Sequence, residues 1–116
     1  MASSARILIV DDNDTLAFFT ARNLQRDIEG LEVFTAKSCL EARAEAGKHH
    51  PSVLIADLKL ADGNGLDLLP DIQDSPGQPE VIISTGYGDA DGAELAIKSG
   101  AWDYIEKTSS SKAIRL

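Results

Sequence analysis

One cysteine, Cys39, and two adjacent histidines, His49 and His50, leave this sequence little material for a disulfide or a soft-metal site. No internal disulfide can form. Cys39 falls in an amphipathic stretch and is expected to be a packed, inert thiol rather than a reactive one. The histidine pair lacks further ligands at a suitable spacing, so a solvated helix end is the expected reading. Basic residues are also scarce: 11 Lys and Arg stand against 19 Asp and Glu, for a formal charge of -8 and a pI near 4.5. Affinity for nucleic acid comes largely from cations neutralising phosphates, which argues against direct nucleic-acid binding; a DNA-directed role would need another domain. The apolar run Ile7 to Val10 is four residues long and nothing exceeds it, so no membrane span or signal-peptide core is present. The chain reads as cytoplasmic. With no repeat and no low-complexity block, its 116 residues form one expected domain, 1–116.

What the sequence does contain is an alternation. Apolar or β-branched segments predict strands at Arg6 to Val10, Leu31 to Thr35, Ser52 to Ala56 and Glu80 to Ser84, with a weaker one at Trp102 to Glu106. Between them lie helical patterns: Thr15 to Ile28, with Ala17, Ala21, Leu24 and Ile28 on one face; Cys39 to Lys48, capped by Ser38; Leu66 to Gln73; and Ala90 to Lys98. Gly30 and Gly100 are placed as stop signals. Alternating strands and helices with short connections imply an α/β fold, a parallel sheet with helices on both faces. Ile7-Leu8-Ile9-Val10, Val53-Leu54-Ile55-Ala56 and Val81-Ile82-Ile83 are continuous apolar runs, as strands buried on both sides require. The second and fifth segments mix in polar residues and suit edges. Right-handed crossovers then give a doubly wound, five-stranded sheet in the flavodoxin-like order 2-1-3-4-5, whose ligand site lies beyond the carboxyl ends of the strands.

Those ends are rich in chemistry. Asp11 and Asp12 follow the first strand, Asp57 the third, Ser84-Thr85-Gly86 the fourth, and Lys107 the fifth. Singly, each has an ordinary explanation in a cap, a turn or a solvated cation. Together they set three carboxylates, a hydroxyl and an ammonium on one rim. Two unit charges about 5 Å apart at an effective dielectric of about 20 repel by roughly 3 kcal/mol, so the cluster calls for a cation. Magnesium, a hard ion taking carboxylate oxygens while keeping positions for water and phosphate, fits that donor set. A carboxylate can attack phosphorus to give an aspartyl phosphate. In that scheme Asp57 is the nucleophile, Asp12 holds the metal with Asp11 behind it, Lys107 pairs with one phosphate oxygen and Thr85 hydrogen-bonds another.

The stretches Ile-Leu-Ile-Val-Asp11-Asp12, Val-Leu-Ile-Ala-Asp57, Ile-Ser-Thr85-Gly and Tyr104-Ile-Glu-Lys107 resemble, in order, the four signatures of receiver domains of two-component response regulators, over nearly the whole chain. The resemblance implies a CheY-like fold and a signalling switch. A histidine kinase or histidine phosphotransfer protein would phosphorylate Asp57, the backbone carbonyl of Lys59 would join the Mg2+ ligands, and Thr85 would couple to Tyr104. It also implies an output domain in the same polypeptide, a homodimer through the fourth helix, fifth strand and last segment, and catalysis limited to self-phosphorylation and slow dephosphorylation, with Lys59 and Tyr87 leaning over the phosphate. Leu58 to Leu66 and Thr85 to Asp89 further resemble receivers attached to AAA+ enhancer-binding activators.

Departures from the family pattern are few. Thr108 follows Lys107 where receivers usually carry a cis-linked proline, and Ala61 stands where many relatives have proline. Ser111 to Leu116 supplies less than two helical turns, so the last helix is expected to be short or truncated, as in a domain excised from a longer protein. The competing readings are weaker. A haloacid-dehalogenase-type phosphatase wants an aspartate where Lys59 stands, and a P-loop nucleotidase wants a glycine-lysine motif that is absent. A receiver-like interaction module that works without phosphorylation is the alternative, and the residue after Lys107 is its support.

Overall fold

The computed structural model describes residues 5–74, 78–85 and 103–106. The predicted fourth helix, Gly100 and the last segment lie outside them, as does the Lys107–Thr108 bond. Five strands form one parallel sheet: β1 (Arg6–Val10), β2 (Glu32–Ala36), β3 (Val53–Asp57), β4 (Glu80–Thr85) and β5 (Asp103–Glu106). Their order is β2-β1-β3-β4-β5, the expected flavodoxin-like winding with β2 and β5 at the edges.

β2 and β3 each start one residue later than the sequence pattern suggests. Arg6 pairs with Glu32, and Ser52 precedes its strand while its N–H donates to the Arg6 carbonyl at 2.9 Å. Asp57 is thereby the last residue of β3, paired with Ser84. It is held by the ladder instead of hanging in the following loop.

Alternation along the central strands divides the core in two. Leu8, Val10, Leu54, Ala56, Val81 and Ile83 point to one face, under α2 (Cys39–His49) and α3 (Leu69–Gln73). Ile7, Ile9, Ile55 and Ile82 point to the other, under α1 (Asp14–Asp27). The unbroken apolar runs are thus explained by burial on both sides.

Caps set the helix ends. The Asn13 side chain accepts from the Leu16 N–H at 3.0 Å to begin α1, and Ser38 Oγ accepts from the Glu41 N–H at 3.1 Å to begin α2. The predicted helix from Leu66 starts as a 3-10 turn, Gly65–Leu68, fixed by a reciprocal Asn64 and Asp67 capping box, before Pro70 admits the α-helical turn of α3. Two expectations fail locally. Ile28 is 43% exposed: α1 ends at Asp27, and Ile28 is its cap, with extended rather than helical backbone. His49 is not a solvated helix end: its ring stacks on Phe34 at 3.7 Å and its Nε2 lies 2.9 Å from Glu45 Oε2, while His50 is the exposed left-handed cap with φ 50°. Cys39 is buried as expected; burial, with Asp62 beside it, pushes its thiol above the ordinary value.

Candidate functional site

β1 and β3 are neighbours, and Val10 pairs with Ala56, so the residues just beyond them, Asp11 and Asp57, arrive side by side. Asp11, Asp12 and Asp57 each offer a carboxylate oxygen within 4.8 Å of the other two. Asp11 is buried, Asp57 half-buried and Asp12 exposed, which grades the cluster from the sheet edge to solvent.

Backbone hydrogen bonds hold these groups. The Asp11 N–H donates to the Ala36 carbonyl at 2.9 Å, and Asp11 Oδ1 accepts from the Asn13 N–H at 2.9 Å. Asp57 Oδ1 accepts from the Lys59 N–H at 3.3 Å, and the Leu58 N–H donates to the Ser84 carbonyl at 2.9 Å. Three carboxylates this close repel by roughly 3 kcal/mol per pair at an effective dielectric of about 20. Oxygen-only donors open to solvent on one side suit a hard divalent cation.

The structure therefore brings together Asp11, Asp12 and Asp57 as the sequence reading expects. Thr85 closes β4 next to Ser84, and Tyr104 lies in β5 opposite Ile83, so both are placed by strand position. Lys107 and Tyr87 lie outside the described residues. Lys59 is exposed in a short ribbon, Lys59–Leu60 against Gly63–Asn64, that the sequence does not announce.

Sequence reasoning missed Gly65. A Cβ there would overlap the Asp57 carbonyl oxygen and lie 3.1 Å from the Asp57 carbonyl carbon, while the Gly65 N–H donates to the Leu58 carbonyl at 2.9 Å. The loop after Asp57 thus closes back on Asp57's own backbone, and only glycine allows the approach. The signal was the Asn64-Gly65 pair before a helix, but nothing local tells which backbone it meets.

A doubly wound sheet with three carboxylates at the ends of adjacent central strands defines the class: residues 7–116 match the response regulator receiver domain family, and the chain belongs to it. It is a receiver domain of two-component signalling. The acid tolerance regulatory protein ActR of Rhizobium meliloti is 37% identical over 101 residues, covering 87% of this chain and 51% of that protein. The photosynthetic apparatus regulatory protein RegA of Cereibacter sphaeroides is 30% identical over 114 residues, covering 98% and 61%. This chain accordingly spans only part of the length of the curated relatives it matches. A putative response regulator from Chloroflexus aurantiacus has a similar crystal structure, with a TM-score of 0.85 at 29% identity, covering 97% of this chain and 92% of that one. Among the described residues, no helix is long and apolar enough to cross a membrane.

Proposed function

We propose that this receiver is a phosphorylation switch in which Asp57 accepts a phosphoryl group from a histidine kinase or phosphotransfer protein. The observation that carries this reading is the convergence of Asp11, Asp12 and Asp57, with oxygens within 4.8 Å, at the carboxyl ends of two paired central strands. In the transfer, an oxygen of Asp57 forms a bond to phosphorus as the donor's N–P bond breaks and leaves a histidine ring. Asp11, Asp12, Asp57 and the Lys59 carbonyl would hold Mg2+, which when bound supplies positive charge against the phosphoryl oxygens.

The protein's own groups have separate tasks. The Lys59 N–H on Asp57 Oδ1 helps fix the orientation of the carboxylate that would attack phosphorus. Lys107 would pair with the transferred group and Thr85 would hydrogen-bond it, drawing the end of β4 inward and passing the change to Tyr104 on β5. We further place the domain in the cytoplasm, with an output domain in the same polypeptide and dimer contacts through the fourth helix, β5 and the last segment. Relatives that are longer than this chain and bear the names of regulators support the output domain.

Incubating wild type and Asp57→Ala with magnesium and acetyl phosphate, followed by intact-mass measurement, tests the proposal. One added phosphoryl group on wild type and none on the variant is the expected result. No gain on wild type would favour an interaction module that works without phosphorylation, and equal gain on both would move the site elsewhere.

A further inference from the structure

We propose that Asp62 is a positioning residue for the Asp57 site, its carboxylate tying the loop that follows Asp57 to the first turn of α2. The inference rests on the reading of Asp57 and its neighbours as the metal-holding, phosphoryl-accepting site. The base of that loop is closed on the site by the Lys59 N–H to Asp57 Oδ1 and the Gly65 N–H to the Leu58 carbonyl. Its tip is different. Ala61 and Asp62 form an exposed two-residue turn on a ribbon of two-residue strands, too little structure to fix itself.

The tip is fixed from outside. Asp62 Oδ1 accepts from the Cys39 N–H at 2.8 Å and Asp62 Oδ2 from the Leu40 N–H at 3.1 Å, across more than 20 residues of chain. Those two donors are among the first-turn N–H groups that a helix cannot satisfy itself, and Ser38 already serves Glu41. A carboxylate is favoured at a helix N-terminus, and these bonds hold the Asp62 carboxyl below its ordinary range, so it is ionised at neutral pH. A second strut lies beside it, Cys39 Sγ at 3.7 Å from the Asn64 carbonyl.

The loop is thus held at its base and at its tip, and Lys59, whose N–H belongs to the base and whose carbonyl would face the metal, is three residues before the tip residue Asp62. Releasing the tip lets the loop leave that pose. Apparent affinity falls by the fraction of time the competent pose is kept, so occupancy of about one fifth weakens magnesium binding roughly fivefold.

The test uses the chain as it stands, with Asp62→Ala, Asp62→Asn and, as a control, Ser38→Ala, which removes a cap from the same helix end but leaves the tether. Magnesium affinity, read by calorimetric titration below the unfolding range, should weaken about fivefold in Asp62→Ala and stay unchanged in Ser38→Ala. Asp62→Asn, which keeps one acceptor oxygen, should fall between. Without metal, amide exchange at Lys59 and Gly65 should speed up in Asp62→Ala and not in Ser38→Ala. Equal magnesium affinity in wild type and Asp62→Ala, or the same loss in Ser38→Ala, would reduce Asp62 to an ordinary helix cap. If wild type binds no magnesium, the reading of the site fails, and the exchange measurement alone decides the tether: acceleration confined to Cys39 and Leu40 would overturn it.

Discussion

Removing Asp12 should make the metal-free protein more stable and the magnesium-bound protein less so. Its carboxylate has an oxygen within 4.8 Å of oxygens on both Asp11 and Asp57. At that spacing each pair repels by roughly 3 kcal/mol if the effective dielectric is about 20 and by under about 1 kcal/mol if it is that of water. Asp12 is exposed, so the lower end applies, and relief of about 1–2 kcal/mol in total is expected for Asp12→Ala. For a chain of this size that corresponds to a rise in Tm of very roughly 4–8 °C in the presence of a chelator. A ligand at a hundred times its Kd stabilises by about 2.7 kcal/mol, so wild type should gain that much in excess magnesium while the variant gains far less. The two melting curves should therefore exchange order between chelator and magnesium. Differential scanning calorimetry of both proteins under both conditions measures this. A lower Tm for Asp12→Ala in chelator would refute the repulsion argument and make Asp12 a structural residue.

Gly65→Ala should destabilise by about 1–3 kcal/mol in urea unfolding, since the new methyl group meets Asp57 backbone rather than a movable side chain; an unchanged midpoint would show that the loop yields. Asp62 has a folded pKa below its ordinary value of 3.8, so its contribution to stability is present above that value and is lost as the pH falls through the lower folded one. Asp62→Asn should flatten the acid limb of stability below about pH 4, and superimposable limbs for the two proteins would contradict it. Cys39, buried with its thiol pKa raised, should react with a disulfide reagent at pH 8 far more slowly in the native state than in urea; equal rates would mean that the helix start opens readily.

The sheet could be read from the sequence because its central strands declare burial on both sides. Ile7 to Val10 and Val53 to Ala56 have no polar face, and only a covered parallel sheet accommodates that. The carboxylate cluster could be read because it sits where such strands end. What escaped the reading depends on partners distant in the chain. Gly65 looks like any turn glycine until the Asp57 carbonyl is beside it, and Asp62 looks like a solvated loop acid until the Cys39 and Leu40 N–H groups are placed. His49 was misjudged for the same reason, since its stacking partner Phe34 lies on another element.

The short reach from strand to site also bears on how such a chain diverges. Asp11 and Asp57 are placed by the pairing of β1 with β3, and that pairing rests on backbone hydrogen bonds together with apolar side chains of approximately the right bulk. Many different residues satisfy those demands, whereas few could replace a site assembled from long, individually shaped loops. A lineage can therefore exchange most of its surface and much of its core lettering while the carboxylates keep their separation. Identities as low as the 30% and 37% seen in two relatives are compatible with an architecture that sets the spacing of Asp11 and Asp57 in the ladder.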